Sequence, residues 1–346
     1  MPSGQESVAV PARPGNFGFP VVRESTIKAD PWTTFRTWIL IATFGALMAL
    51  QGSGVTLAGP VPTVAACAAI LLFGLPHGTL DLTIIRRERE VGQTAMSALL
   101  LCYIGLAVMM GAVWQWAPVA ALAIFIFIAV VHFAEDWREI GSAFLAQGMA
   151  IALLAAPTLL HLAQMEQLFV ALAGHSEAAL VANVLLLLAP TSLAVATVAI
   201  WTLWRTGRDD QAMVGAITLA GMILLPPVVG FALFFCLYHS PSQLQAAVAR
   251  AAEVRSSRRT IALLTLAAIG IAALLFAGEV RAELPDQFVA ASFMTLSLLT
   301  VPHMIVPMIV TALPHRVRGR PASGRTQARD PATVTQSSTA AFERRG

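Results

Sequence analysis

Four histidines of this 346-residue chain lie inside apolar stretches, where an ionisable side chain is expensive and therefore marks a place to look for chemistry. They are His77 in Gly74-Leu75-Pro76-His77-Gly78, His132 in Val131-His132-Phe133-Ala134-Glu135-Asp136-Trp137, His239 in Leu237-Tyr238-His239-Ser240, and His303 in Val301-Pro302-His303-Met304. Neutral imidazoles converging in an apolar interior suit a first-row metal such as iron, copper or zinc. Cys67, Cys102 and Cys236 sit in apolar runs without Cys-x-x-Cys spacing, so they read as packing residues rather than thiolate ligands or a disulfide framework. A lone intramembrane histidine more often hydrogen-bonds across a helix contact. Four at one depth favour a shared site. Carboxylates accompany two of them: Asp81 follows His77 by four residues, and Glu135 and Asp136 follow His132 by three and four, on the same helical face. Such a partner orients an imidazole and fixes its tautomer. Glu135 and Asp136 are also close enough to Arg138 to be ordinary boundary charges. His161, His175 and His315 fall at or beyond the ends of apolar runs and are assigned to interfacial or loop roles.

The elements that must position these side chains follow from composition. With 57% apolar and 12% charged residues and a mean hydropathy of +0.73, the chain exceeds what a water-soluble domain buries. The apolar runs are continuous rather than short and alternating, which excludes a membrane barrel. The expected class is an all-α, polytopic integral membrane bundle of about ten transmembrane helices. Spans are expected near 37–58, 61–85, 94–116, 118–137, 141–161, 178–204, 211–226, 228–249, 260–277 and 287–312. The seventh and eighth are separated at Pro226-Pro227, where two backbone donors are lost and the preceding residue is turned away from helix. Residues 1–36 and 316–346 read as disordered tails flanking a catalytic transmembrane domain over 37–315, the second tail basic and rich in Ser, Thr, Gln, Arg and Pro.

Charge sets the orientation. With ten spans and both termini cytoplasmic, Arg86, Arg87, Arg89, Arg138, Arg205, Arg208, Arg250, Arg255, Arg258 and Arg259 all face inward, and only Arg281 faces out. The four histidines then occupy the second, fourth, eighth and tenth spans, all running from outside to inside. They precede Arg86, Arg138, Arg250 and Arg316 by nine, six, eleven and thirteen residues. That places them roughly 9 to 20 Å below the inner charged boundary, where they can share one layer.

Gly74-Leu75-Pro76-His77-Gly78-Thr79-Leu80-Asp81 resembles the GLPHGALD motif of the Brp/Blh family of bacterial membrane β-carotene 15,15'-dioxygenases. Val131-His132-Phe133-Ala134 is similar to that family's IHFG segment, Cys236-Leu237-Tyr238-His239-Ser240 to its C-x-x-HS segment, and Leu299-Thr300-Val301-Pro302-His303-Met304-Ile305 to its LTVPHMI segment. The similarity extends over residues 61–312. It implies a multi-pass protein of the cell inner membrane that uses O2 to cleave β-carotene at its central double bond into two molecules of retinal. It also implies non-haem Fe(2+) held by His77, His132 and His239. The family's HS-x-x-H pair is interrupted, because Gln243, preceded by Pro241, stands where its second histidine is expected. Either His303 completes a four-histidine site, or three histidines act with Gln243 or water, or activity is lost.

The substrate implied is a carotenoid reached through membrane lipid, and no nucleic-acid partner is expected. Phe125, Phe127, Phe133, Phe231, Phe234 and Phe235 cluster around the second and third motifs, and Phe133, Phe234, Phe235 and Tyr238 are the candidates for contact with the polyene. Two other classes stay open. A membrane hydroxylase or desaturase would use iron on a lipid-soluble substrate but carry denser histidine boxes than this chain has. A transporter would distribute polar groups through both halves of the membrane or show repeat symmetry. A retinal-binding photoreceptor is excluded, since the single lysine, Lys28, lies in the N-terminal tail and no span offers a Schiff-base amine.

Overall fold

A backbone surrounded by hydrocarbon must satisfy its own hydrogen bonds, and apolar segments of this length do so as helices. The computed structural model describes residues 31–78, 85, 92–251 and 284–312, with side chains at 31–33, 75–78, 247–251, 284–286 and 311–312 excepted, and among the described residues there is no strand. The helices are α1 (Pro31–Gly52), α2 (Pro60–Gly78), α3 (Gln93–Trp116), α4 (Pro118–Ala134), α5 (Ala143–Ala155), α6 (Thr158–Ala173), α7 (Ala179–Arg205), α8 (Asp209–Leu224), α9 (Pro227–Phe234), α10 (Ser240–Ala251) and α11 (Leu284–Ala312). A 3-10 turn, Glu135–Ile140, extends α4, and a π turn, Phe235–His239, joins α9 to α10. Five helical stretches are long and apolar enough to cross a membrane: Thr34–Gly52, Gln93–Trp116, Pro118–Ile140, Ser176–Arg205 and Gln287–Val310. The α5–α6 pair makes a sixth if its two halves form one broken span. The expected span at 260–277, the tails before residue 31 and after 312, Asp81, His315, Arg86, Arg87, Arg89, Arg255, Arg258, Arg259 and Arg281 lie outside the described residues.

Helix α11 is the hub, packing against α2, α3, α4 and α6. Half of its membrane-length window is buried inside the bundle, against about a tenth or less for α1 and α3. Small residues let α5 and α7 meet closely: an added Cβ on Gly148 would fall 2.2 Å from Val195.

Two expected boundaries change. Helix α1 begins at Pro31, so Arg36, expected at the end of the tail, stands on a helix. The single span expected over 141–161 is instead two helices bent by 68°. Pro157 accounts for the bend, since it has no N–H and its ring opposes the carbonyl four residues earlier. The hydroxyl of Thr158 donates to the Ala155 carbonyl (2.6 Å) and so satisfies a group at the break. A second irregularity follows at His161, whose backbone (φ −129°, ψ 33°) departs from helix.

The break at Pro226-Pro227 is present: α8 ends at Leu224, Leu225 and Pro226 are extended, and Pro227 opens α9. The chain turns back there. An added Cβ on Gly230 would lie 2.8 Å from the Gly221 carbonyl and 3.3 Å from Met222 Cα, whereas nine residues of straight helix span about 13 Å. Because the obstruction is backbone, Gly230→Ala is expected to destabilise the protein by about 1–3 kcal/mol. Gly45→Ala, where nothing lies within 4 Å, should be neutral or stabilise by about 0.5–1 kcal/mol. Thermal unfolding of the two variants in detergent checks the difference.

Candidate active site

Helix α4 delivers His132 near its C-terminal end, the π turn delivers His239, and α11 delivers His303 immediately after Pro302. Their rings converge edge to face. The His132 centroid is 4.6 Å from that of His239 and 5.1 Å from that of His303. His132 is 3% exposed and His239 is 0% exposed. His77 stands on α2, three residues beyond Gly74, whose position against the Phe235 ring (3.1 Å to an added Cβ) packs α2 onto the π turn. Its side chain, like Asp81, lies outside the described residues. The hydroxyl of Ser240 also reaches across to α2, donating to the Phe73 carbonyl.

The π turn matters to this placement. A π turn carries one residue more than an α turn, which rotates everything beyond it by about 100° relative to a continued α-helix. Phe235 and His239 thereby lie with ring centroids 5.2 Å apart, and His239 meets Phe133 at 4.8 Å. Arg36 of α1 steadies the turn, its guanidinium donating to the Tyr238 carbonyl (3.0 Å) and the Gln245 side-chain oxygen (2.9 Å).

Asp136 serves a different histidine from the one its spacing indicated. It is four residues after His132, but its carboxylate lies 2.6 Å from His239 Nδ1, in hydrogen-bonding contact. The reason is the 3-10 turn that begins at Glu135: at about 120° per residue rather than 100°, it carries Asp136 off the His132 face. The other carboxylate oxygen accepts the Gln243 amide N–H at 2.9 Å, and the Tyr238 hydroxyl donates to the Asp136 backbone carbonyl at 3.3 Å. Glu135 is half-buried at the end of α4, and its own carbonyl accepts from Arg138.

An apolar cavity opens from His132. It is bounded by Leu122, Phe125, Ala129 and Phe133 of α4, by Phe169 of α6, by Phe231 and Phe235, and by Phe293, Leu296 and Thr300 of α11. Among the described residues, His132 and Thr300 bring the only polar side chains to its wall. From Leu122 to His132 the wall follows α4 for ten residues, about 15 Å. Both proline breaks contribute, through Pro157 and Pro227. Of the aromatic candidates, Phe133 and Phe235 line this space, while Phe234 and Tyr238 pack behind it, against His239 and Trp137 respectively. Phe127 faces outward at 69% exposed, because two residues from Phe125 is about 200° around a helix. His161 is half-buried at the α6 irregularity and His175 is exposed.

A metal would find imidazole donors here in a water-poor setting, which suits iron, copper or zinc. Among the described residues no three His, Cys, Asp or Glu side chains already aim their donors at one point. Three rings from three elements nonetheless share one spot, and the fourth histidine is carried on the helix packed beside them. Sequence reasoning had no access to the Asp136–His239 pair or to Arg36, because a charge near the end of an apolar run looks the same whether it faces water or a neighbouring helix.

These features define a helical bundle with an apolar cavity whose wall includes one of three clustered histidines. A family model of β-carotene 15,15'-dioxygenases matches residues 68–310. A β-carotene 15,15'-dioxygenase from an uncultured marine bacterium (66A03) is 26% identical over 265 residues, which cover 70% of this chain and 91% of that protein. No solved structure matches the chain. The chain belongs to the β-carotene 15,15'-dioxygenase family, a family of carotenoid-cleaving enzymes.

Helix α11 is held in register by the Trp114 indole N–H, which donates to the buried Ser297 hydroxyl at 2.8 Å, six residues before His303. Ser297→Ala strands that donor and is expected to cost about 1–3 kcal/mol. Ser97→Ala, at an exposed position, should change the melting temperature in detergent little.

Proposed function

We propose that this protein cleaves β-carotene at its central 15,15' double bond with O2, giving two molecules of all-trans-retinal. The observation that carries the proposal is the convergence of His239 and His303 on His132, which itself lines an aromatic-walled apolar cavity, in a chain of this family. His77, His132, His239 and His303 would hold a non-haem iron(II), with His303 taking the place that Gln243 leaves. Gln243 is turned toward Asp136, which favours the four-histidine set over the amide as a ligand. Iron bound there would supply the redox chemistry that couples O2 to the polyene.

The protein's own contribution is placement and exclusion of water. Phe125, Phe133, Phe231 and Phe235 offer ring faces and edges to a conjugated chain, and the low polarity of the wall disfavours water beside the reacting bond. In the overall reaction one C=C is broken and each of its carbons takes one oxygen atom, so O2 is consumed whole. The substrate comes from the lipid, since it has no appreciable solubility elsewhere. Ten spans with both termini cytoplasmic, in the cell inner membrane, account best for the arginine distribution.

Expression in a β-carotene-producing bacterium tests the reading through pigment analysis. Wild-type protein should bleach the orange colour and accumulate retinal. His132→Ala, His239→Ala and His303→Ala should each lose bound iron and reduce turnover at least a hundredfold while remaining inserted. His161→Ala and His175→Ala should stay within about twofold of wild type, since neither residue lines the cavity. Full activity in His132→Ala sinks the assignment.

Topology is open to labelling. In a cysteine-free background, cysteines placed near Arg208 and Arg255 should be protected from an impermeant reagent applied outside, and positions near Glu166 and Asp286 should be labelled. Outside labelling near Arg255 would contradict the ten-span arrangement.

A further inference from the structure

We propose that Gln243 is a positioning residue: acting through Asp136, it fixes His239 as the Nδ1–H tautomer with Nε2 directed to the histidine cluster, and it does not itself ligate metal. The inference rests on the metal reading above and goes beyond it, since that reading names donors and not what aims them.

The argument starts from what a carboxylate can do. Ionised Asp136 only accepts hydrogen bonds, so both of its partners must donate. At 2.6 Å from Oδ2, His239 therefore carries its proton on Nδ1. At 2.9 Å from Oδ1, Gln243 must present its amide nitrogen. A neutral imidazole protonated at Nδ1 has its lone pair at Nε2, the nitrogen a metal would use.

Burial makes the arrangement selective. The Asp136 side chain is 1% exposed and that of His239 is 0% exposed, so water does not compete for either group. One hydrogen bond would leave the carboxylate able to swing about its Cβ–Cγ bond. Two bonds to different oxygens fix its plane, and the plane fixes the imidazole. Gln243 follows His239 by one helical turn, so the same stretch of chain supplies the ring and the group that aims it. The Tyr238 hydroxyl on the Asp136 backbone carbonyl, with Tyr238 packed on Trp137 (ring centroids 5.3 Å), holds the carboxylate's own position.

The competing role is direct ligation through the amide oxygen, and the two predict opposite signs for one substitution. Gln243→Glu keeps the shape but removes the donor and sets carboxylate against carboxylate. It should loosen a positioned histidine, yet it would improve a ligand. Cobalt(II) titration of the full-length protein purified in detergent, followed by its visible absorption bands, reads the difference. Gln243→Glu is expected to bind cobalt ten- to a hundredfold more weakly than wild type. The reciprocal swap, Asp136→Asn with Gln243→Glu, should recover most of that loss, because the oxygen of the introduced amide accepts from His239 and its nitrogen donates to the introduced carboxylate. Gln243→Met, which folds without introducing a charge, should bind more weakly with unshifted bands; shifted bands would indicate loss of a ligand and overturn the proposal.

Cobalt binding by Gln243→Glu equal to or tighter than wild type also overturns it, as does a lowered melting temperature with unchanged affinity. Those results leave the metal reading intact provided His132→Ala abolishes binding. Wild-type protein that binds no cobalt overturns the metal reading and this inference together.

Discussion

The buried contact between Asp136 and His239 is the interaction around which the site is arranged. An ionised carboxylate in a helical bundle is tolerated only where donors surround it, and here they come from two elements at once. Asp136 is anchored to the end of α4, which also carries His132, so the pair ties the helix of one imidazole to the ring of another. Removing either partner would leave a charge or a ring nitrogen uncompensated in a place water does not reach. Most of the remaining described core is apolar packing.

Around it the fold uses irregularity as a tool. Helices that cross lipid are most stable when uninterrupted, yet the cavity is bordered by Pro157 and Pro227 and the histidine layer by Pro302. Each proline frees a carbonyl and interrupts a continuous ridge of side chains. The energy to tolerate this comes from close packing elsewhere, as at Gly148 against Val195 and Gly230 against Gly221. Space for a ligand and tight helix contacts are two outcomes of one distribution of small and cyclic residues.

Much of the architecture was legible in the residues. Apolar runs bounded by arginine and proline located the helices, and the Pro226-Pro227 reversal followed from missing donors. His132, His239 and His303 were expected to share a layer, and they do. What could not be read were features set by rotation about a helix axis. The turn after Ala134 tightens to 3-10, which took Asp136 from His132 to His239, and the 68° bend replaced one expected span with two helices. A composition scan sees neither, because a change of about twenty degrees per residue alters no residue's identity. Arg36 escaped for a related reason: its partners lie more than two hundred positions away.

The π turn over Phe235–His239 puts folding and catalysis in tension. Such a turn is locally less favourable than the α-helix it interrupts, and deleting one residue would let the segment relax into that helix. The shorter chain would gain local stability and lose the rotation that brings His239 to His132. One residue of chain length therefore sets where the His239 ring lies, at the cost of a weaker stretch of helix.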